Sequence, residues 1–307
     1  MRFGAAFWIN RTDWPDLRDA CLAAERAGWD SLWIDDHLLS DEGDPADPKM
    51  EGWATLSALA VLTEDVRLGL LVAANTFRNP GLTTKLATTL DHVSNGRAVL
   101  GIGGAWFERE HEAFGIDFGK SPGERLDWLG EAVPLMRRLL DGEQVTHQGR
   151  FYTFTDALCE PRPIQPHLPI LIGGSGPKKT LPIVARHGDG WNTSGELDDV
   201  KASLDLLAGY CADAGRDLAD IELTVSFPTI IRDTVADAEA VREKQLAHNG
   251  LDSLGGVPLL TGSPEVMVDR LRPYLALGFS TVIVRMSAPF DRETIDRLPE
   301  VQALLGG

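Results

Sequence analysis

The feature that most constrains this 307-residue chain is a regular alternation of strand-like and helix-like segments. Short apolar runs predict strands near 2–9, 31–36, 66–73, 98–103, 169–173, 190–193, 221–227 and 281–286. Apolar residues at helical spacing predict helices near 13–27, 53–62, 80–93, 123–140, 178–187, 197–214, 236–249 and 264–277. Alternation of this kind is typical of a parallel sheet with helical crossovers, and eight strands is the number that closes a barrel. We therefore expect an α/β fold, a (β/α)8 TIM barrel.

Two segments interrupt the alternation. Residues 141–168 contain a polar stretch that predicts a hairpin around Gly149, followed by Pro161, Pro163 and Pro166. Residues 250–263 are rich in glycine and are interpreted as a mobile lid. We expect both to be insertions in a single domain spanning 1–307, the first of them covering the barrel mouth.

Composition and charge limit the function classes. The chain has 46 Asp and Glu against 29 Lys and Arg, a net charge of −17, which argues against nucleic-acid binding because phosphates need a basic face. Cys21, Cys159 and Cys211 lie far apart, which argues against a disulfide framework and a Cys-x-x-Cys site. The histidine and cysteine spacing suggests no metal, and no apolar run is long enough to span a membrane. We expect a cytoplasmic protein with no membrane partner.

A glycine-rich segment follows the fifth predicted strand. Gly173, Gly174, Ser175 and Gly176 lie between the strand and a predicted helix, with Pro177 at its expected first position. Glycines let backbone N–H groups approach a ligand closely, and a helix N-terminus favours an anion. The segment therefore predicts a phosphate site, although a glycine-rich turn without a ligand is the alternative. The following pair, Lys178 and Lys179, fits either a nearby anion or a solvated helix face.

Polar residues at strand ends are the candidates for chemistry, since a barrel builds its active site there. His37 follows Asp36 at the end of the second strand, where an imidazole could exchange a proton with a bound ring, or cap the loop with its neighbour. Asn75 lies at the mouth of the third strand. Arg285 lies at the end of the last strand and is a candidate substrate anchor.

Two aromatic segments have open interpretations. Gly103 and Gly104 precede Trp106, so a planar ring could pack on the small residues beside a tryptophan wall, or the tryptophan could be core. Trp191 could either seal the barrel or flank a cofactor. Because the usual catalytic nucleophile motifs are missing, chemistry supplied by an organic cofactor is the favoured hypothesis.

Several of these segments together resemble a known family. The chain is similar to the bacterial luciferase-like flavin or deazaflavin oxidoreductases, and most of all to the group that uses coenzyme F420. The resemblance covers nearly the whole length, and its specific elements, in order, are the segments 30–37, 76–80, 89–97, 100–106, 170–176 and 189–192.

The resemblance implies a barrel that holds a flavin-like ring across its mouth. It implies that Asp36 and His37 lie beside the ring and that Asn75 and the third-strand backbone hold it. The opposite wall would be 103–106, and the phosphate would lie on 173–176. Relatives often carry a non-prolyl cis peptide in the third strand, and the matching bond here joins Leu71 and Val72.

The leading functional hypothesis is an oxidoreductase that transfers hydride between F420 and a small organic substrate. Sugar-phosphate dehydrogenases of this family have a catalytic glutamate where this chain has Trp106, and Glu108 could replace it only if its loop turns inward. The alternatives are an FMN-dependent two-component monooxygenase fed by a separate reductase, and a barrel that binds a ligand without turnover. By resemblance we also expect a homodimer, with its interface in the early barrel helices.

Overall fold

The computed structural model describes residues 1–253 and 256–306. Twelve strands occur in this described part: β1 Arg2–Phe7, β2 Ser31–Ile34, β3 Arg67–Leu70, β4 Ala73–Ala74, β5 Ala98–Gly103, β6 Val145–Gln148, β7 Thr153–Ala157, β8 Ile170–Gly173, β9 Gly190–Thr193, β10 Glu222–Ile231, β11 Leu260–Gly262 and β12 Thr281–Met286. Eight of them, β1, β2, β3, β5, β8, β9, β10 and β12, pair in parallel, and the β9 to β10 pairing closes the ring. The predicted barrel and all eight predicted strands are confirmed.

Ten helices accompany the strands in the same residues: α1 Trp14–Arg26, α2 Gly52–Ala60, α3 Pro80–Val93, α4 Glu108–Phe114, α5 Pro122–Leu140, α6 Thr180–His187, α7 Leu197–Asp213, α8 Val235–Asn249, α9 Pro264–Ala276 and α10 Arg292–Gly306. Side-chain caps explain several of their starts. Asp13, Ser121 and Thr234 each accept a hydrogen bond from the backbone N–H three residues on. The eight helices expected from periodicity are present.

The barrel interior is filled at its lower end by Trp33. An added Cβ at Gly4 or Gly69 would lie 2.8 or 2.6 Å from the Trp33 indole, so these glycines make room for the ring. Trp33 packs with Ala6, Val99 and neighbouring lumen side chains, and Trp8, Leu71 and Val72 lie against this cluster. The packed lumen therefore forms the floor of whatever lies at the barrel mouth.

Some elements differ from the sequence expectations. Helices α4 and α10 and strands β4 and β11 were not anticipated. Strand β10 continues past Phe227 because its last residues pair with β11. Helix α6 begins at Thr180 and not at Pro177, since the chain first makes a turn in which Leu181 N–H donates to the Gly176 carbonyl.

The first insertion forms the expected hairpin, β6 and β7, but it does not cover the barrel mouth. Its apolar side chains Val145 and Phe154 are buried with Leu135 and Leu139 of α5, on the outer side of the barrel. In the second insertion, residues 254 and 255 of the predicted lid lie outside the described residues. None of the described helices is both long and apolar enough to cross a bilayer.

Candidate active site

A cavity of about 670 Å³ lies at the carboxyl ends of the barrel strands. This volume is in the range of sites that bind cofactors or drug-sized ligands. It brings together most of the predicted site residues: Asp36, His37, Leu71, Val72, Gly103, Gly104, Trp106, Gly173, Gly174, Ser175, Gly176 and Arg285. Segments that are far apart in sequence therefore meet around one space.

The glycine loop forms one end of the cavity. Gly174 has a φ of +111°, which L side chains rarely adopt, and its N–H donates to the Asn192 carbonyl at 3.0 Å. The amides of Ser175 and Gly176 have no hydrogen-bond partner within the described ranges. In the part of the chain that the structure describes, the loop therefore has free N–H groups at Ser175 and Gly176 only. Gly174 instead allows the loop to adopt a backbone conformation that other residues rarely adopt.

The residues around the loop have structural roles. Trp191 is fully buried, and its indole N–H donates to the Gly174 carbonyl at 2.8 Å, so it anchors the loop and does not line the cavity. Lys179 pairs with Asp127 and donates to the Gly123 carbonyl, which ties the loop to α5. Its charge is thereby directed away from the loop amides, while Lys178 is exposed.

The third-strand segment forms the back wall. A cis peptide joins Leu71 and Val72, as the family resemblance implied. Asp36 accepts two hydrogen bonds from Arg78, at 2.7 and 3.0 Å, and one from the Ala74 N–H at 2.9 Å. The Asp36 carboxylate thus holds this segment in place.

The glycines of β5 are explained by packing against the same segment. A Cβ at Gly101 would collide with the Leu70 carbonyl oxygen, and one at Gly103 would lie 2.7 Å from Val72 Cγ2. These contacts within the protein already require glycine at both positions. Trp106 is 62% exposed at the cavity edge, where its ring meets the His37 ring edge-on at 5.4 Å.

His37 occupies the other end of the cavity, between two carboxylates. Its Nδ1 lies 2.9 Å from Glu110 Oε1, and its Nε2 lies 3.5 Å from Asp41 Oδ2. Burial lowers the pKa of His37, but the hydrogen bond to Glu110 and the charges of Asp41 and Asp35 outweigh it, so the net shift is upward from 6.5. An imidazole with a raised pKa beside a cavity can hold or move a proton near neutral pH.

A buried charge network supports this end. Asp35, His37 and Asp41 lie close enough to share a cation, but the Lys49 ammonium already bonds Asp35 and Asp41. Lys49 also donates to Asn10. This network is partly compensated from within the protein, because Asp35 and Asp41 share the Lys49 ammonium as their cationic partner.

Arg285 lies beyond His37. Its guanidinium lies over the Trp8 ring at 4.4 Å, its Nε is buried without a partner, and within the described ranges it forms no salt bridge. Burial lowers the pKa of Arg285, and the Glu42 carboxylate opposes that shift. The Arg285 guanidinium therefore keeps hydrogen-bonding capacity beside the cavity that it lines.

Two predicted site residues do not line the cavity. The Asn75 side chain donates to the Tyr152 hydroxyl at 3.0 Å, although its backbone N–H bonds the Gly103 carbonyl. Glu108 is the first residue of α4, and its side chain is exposed. The loop therefore does not turn Glu108 inward.

Sequence reasoning missed Glu110, Asp41, Lys49 and Trp8. Glu110 is 1% exposed, whereas Glu108 and Glu112 on the same short helix are exposed. The sequence signal for Glu110 was its position two residues after Glu108. This signal does not show which glutamate is buried unless helix α4 is recognised.

The closed barrel and its strand-end cavity define the chain as a (β/α)8 barrel with an enzyme-like site. A family model described as luciferase-like monooxygenase matches residues 1–281. The F420-dependent glucose-6-phosphate dehydrogenase of Nakamurella multipartita is 30% identical over 339 residues, covering 100% of this chain and 98% of that protein. The chain belongs to the luciferase-like family and is an oxidoreductase enzyme.

Solved structures agree on the fold. An F420-dependent secondary alcohol dehydrogenase, in complex with an F420-acetone adduct, gives a TM-score of 0.82 at 22% identity over 98% of this chain and 97% of its own. Monooxygenase RslO1 from Streptomyces bottropensis gives 0.83 at 20% identity, with both chains fully covered. At these identities the likeness concerns the barrel alone.

Proposed function

We propose that this enzyme transfers hydride between coenzyme F420 and a small organic substrate. The observation that carries the proposal is one cavity with two unpartnered loop amides at one end and the partly buried His37 imidazole at the other. F420-dependent relatives that cover the whole chain support the choice of cofactor.

The residues present fit a phosphorylated tricyclic cofactor. The Ser175 and Gly176 amides are donors for a phosphate, and the cavity volume of about 670 Å³ exceeds what the substrate alone would need. Val72 and Gly103 offer a flat apolar wall for a ring. Asp36 would act by holding the back wall, through Arg78 and Ala74, without contacting the ring itself.

The cofactor, when bound, supplies the carbon that gives or takes the hydride. His37 would hold or move a proton at Nε2, the ring nitrogen that Glu110 leaves available. Ser175 and Gly176 would bind, Trp106 would shield the open edge from water, and Arg285 would orient a substrate oxygen. Glu108, which is exposed, has no part in this arrangement.

The charges of the cavity favour an uncharged substrate over a sugar phosphate. Asp41 and Glu42 face the Arg285 side, and Glu42 forms no ion pair with a residue in the described part of the chain. Burial and then Asp41 raise the pKa of Glu42, which is the behaviour of a carboxyl in an already negative region. With Trp106 in place of a glutamate, this chain also departs from the sugar-phosphate dehydrogenases.

Titration of the purified enzyme with F420 and with FMN tests the proposal. We expect quenching of F420 fluorescence with a Kd at least tenfold below that for FMN, followed by hydride exchange with small alcohols or ketones. Tighter FMN binding with oxygen-dependent product formation would favour the second candidate, a monooxygenase supplied with reduced FMN by a separate reductase. That candidate is supported by the family model, which is described as luciferase-like monooxygenase, and by a phosphate loop that suits either cofactor.

We also propose a homodimer formed through the early helices. Val61 after α2 and Leu82 and Val93 on α3 are 68, 53 and 40% exposed, which is unusual for large apolar side chains in one region.

A further inference from the structure

Glu110 is a buried carboxylate whose hydrogen bonds go to one two-residue segment. Its Oε1 lies 2.9 Å from His37 Nδ1, and its Oε2 accepts from the Leu38 N–H at 2.8 Å. Burying an ionised carboxylate is costly unless its oxygens are satisfied. Both oxygens are satisfied here, and both by the segment that carries the imidazole.

Helix α4 has an anchor besides Glu110. His111 of the same helix is fully buried, with Nε2 2.7 Å from Thr76 Oγ1 and Nδ1 2.8 Å from the Phe107 carbonyl. The His111 ring also packs on Phe77 and Phe118. His111 is therefore a second anchor for the helix, separate from the Glu110 carboxylate.

The contact with Glu110 determines which imidazole nitrogen carries the proton. An ionised carboxylate only accepts hydrogen bonds, so the proton of the neutral ring lies on Nδ1. Nε2 then holds the lone pair and faces Asp41 and the cavity. The other charged groups near the ring are Asp35 at the end of β2 and Lys49 in the following loop.

We propose that Glu110 is the positioning residue of His37: its carboxylate fixes the ring orientation and the Nδ1–H tautomer, so that Nε2 is the atom that exchanges protons in the cavity. Glu110 acts through His37, because its two carboxylate oxygens are taken up by His37 and by the Leu38 N–H. The tautomer and the charge effect do not depend on the reaction, whereas the catalytic consequence depends on the proposed hydride transfer.

The test combines E110Q with the matched control E112Q, since Glu112 is exposed on the same helix. The E110Q substitution keeps the shape of the side chain but removes its charge, and the resulting amide cannot accept from both His37 and Leu38. In ¹⁵N NMR of the imidazole we expect wild-type His37 to be protonated at Nδ1 in its neutral form. Its pKa should fall by about one unit or more in E110Q and stay unchanged in E112Q.

Two results would overturn the proposal. One is a wild-type neutral tautomer protonated at Nε2, which needs no variant and so applies even if E110Q does not fold. The other is a His37 pKa in E110Q that equals that of E112Q.

Kinetics separate this proposal from the proposed function. With F420 bound, the pH profile of kcat/KM in E110Q should move by the same amount as the His37 pKa, with the cofactor Kd within about threefold of wild type. If the NMR result holds and F420 is neither bound nor used, the proposed function fails and the role of Glu110 stands. If F420 turnover is present and the pH profile does not move, Glu110 has no role in proton exchange.

Discussion

The two ends of the cavity are built in different ways. The glycine-loop end, residues 173–176, offers backbone amides, and the nearby Lys179 is paired with Asp127. The His37 end consists of charged side chains, with Asp41 and Lys49 supplied by the loop that carries His37 and Glu110 supplied by α4. Ligand binding at the first end depends on backbone conformation. The arrangement of the second end depends on the balance between charged groups that are shielded from water. Substitutions should therefore act differently at the two ends.

The largest expected effect comes from His37→Ala. Loss of a positioned acid or base typically lowers the rate about 10² to 10⁴-fold, so we expect kcat to fall by that amount. Under the proposed function the F420 Kd should stay within about threefold, because the loop at the other end would hold the phosphate. Stopped-flow absorbance of F420 with a turned-over substrate measures both quantities. His248→Ala, an exposed histidine outside the cavity, is the control, and equal turnover in the two variants would remove the distinction between the ends.

A smaller effect, on stability or on cofactor affinity, is expected from Gly174→Ala. The φ of +111° is strained for alanine, and such backbone strain costs about 1 to 3 kcal/mol. The free energy of unfolding should fall by this amount, or the loop should shift and raise the F420 Kd about tenfold, with kcat per bound cofactor little changed.

The matched control for the loop is Gly209→Ala. Gly209 lies in α7, where an added Cβ meets open space, so alanine should stabilise the protein by about 0.5 to 1 kcal/mol. Urea unfolding of both variants measures the difference. If both variants change the free energy of unfolding in the same direction, the loop does not require the positive φ at Gly174.

The smallest expected effect is a pH dependence of stability. The folded-state pKa of His37 is raised above 6.5, so its contribution to stability is complete below about pH 6.5 and is lost as pH rises through the folded value. The difference in unfolding free energy between wild type and H37Q should therefore be largest at pH 6 and shrink toward pH 9, by less than about 1.4 kcal/mol per pH unit. Urea unfolding at a series of pH values measures this difference. A difference that increases with pH would contradict the raised pKa.

The predictable parts of the site were those that follow from local pattern. His37 and Arg285 were identified because each follows or ends a predicted strand, and the barrel places strand ends together. The glycine loop and its ligand-binding amides were predicted from composition, but which amides stay free was not, because the use of the Gly174 N–H depends on pairing with Asn192.

Other assignments required contacts across long sequence separations. Asn75 was expected at the ring, yet its amide bonds Tyr152 of the hairpin, 77 residues away. The β5 glycines resembled a ring platform, and packing against Leu70 and Val72 explains two of them. The sequence could not show which of Glu108 and Glu110 is buried. The buried side of α4 depends on where this helix packs against the barrel.

The sequence by itself determined the barrel, its strand order along the chain and the strand-end positions of the candidate residues. These follow from hydrophobic periodicity and turn chemistry, which act over a few residues. Only the tertiary structure decided which carboxylates surround His37, which cations compensate them and which loop amides stay unpaired. Those outcomes depend on contacts made after the chain has folded, such as the one between His37 and Glu110, 73 residues apart, which no local pattern encodes.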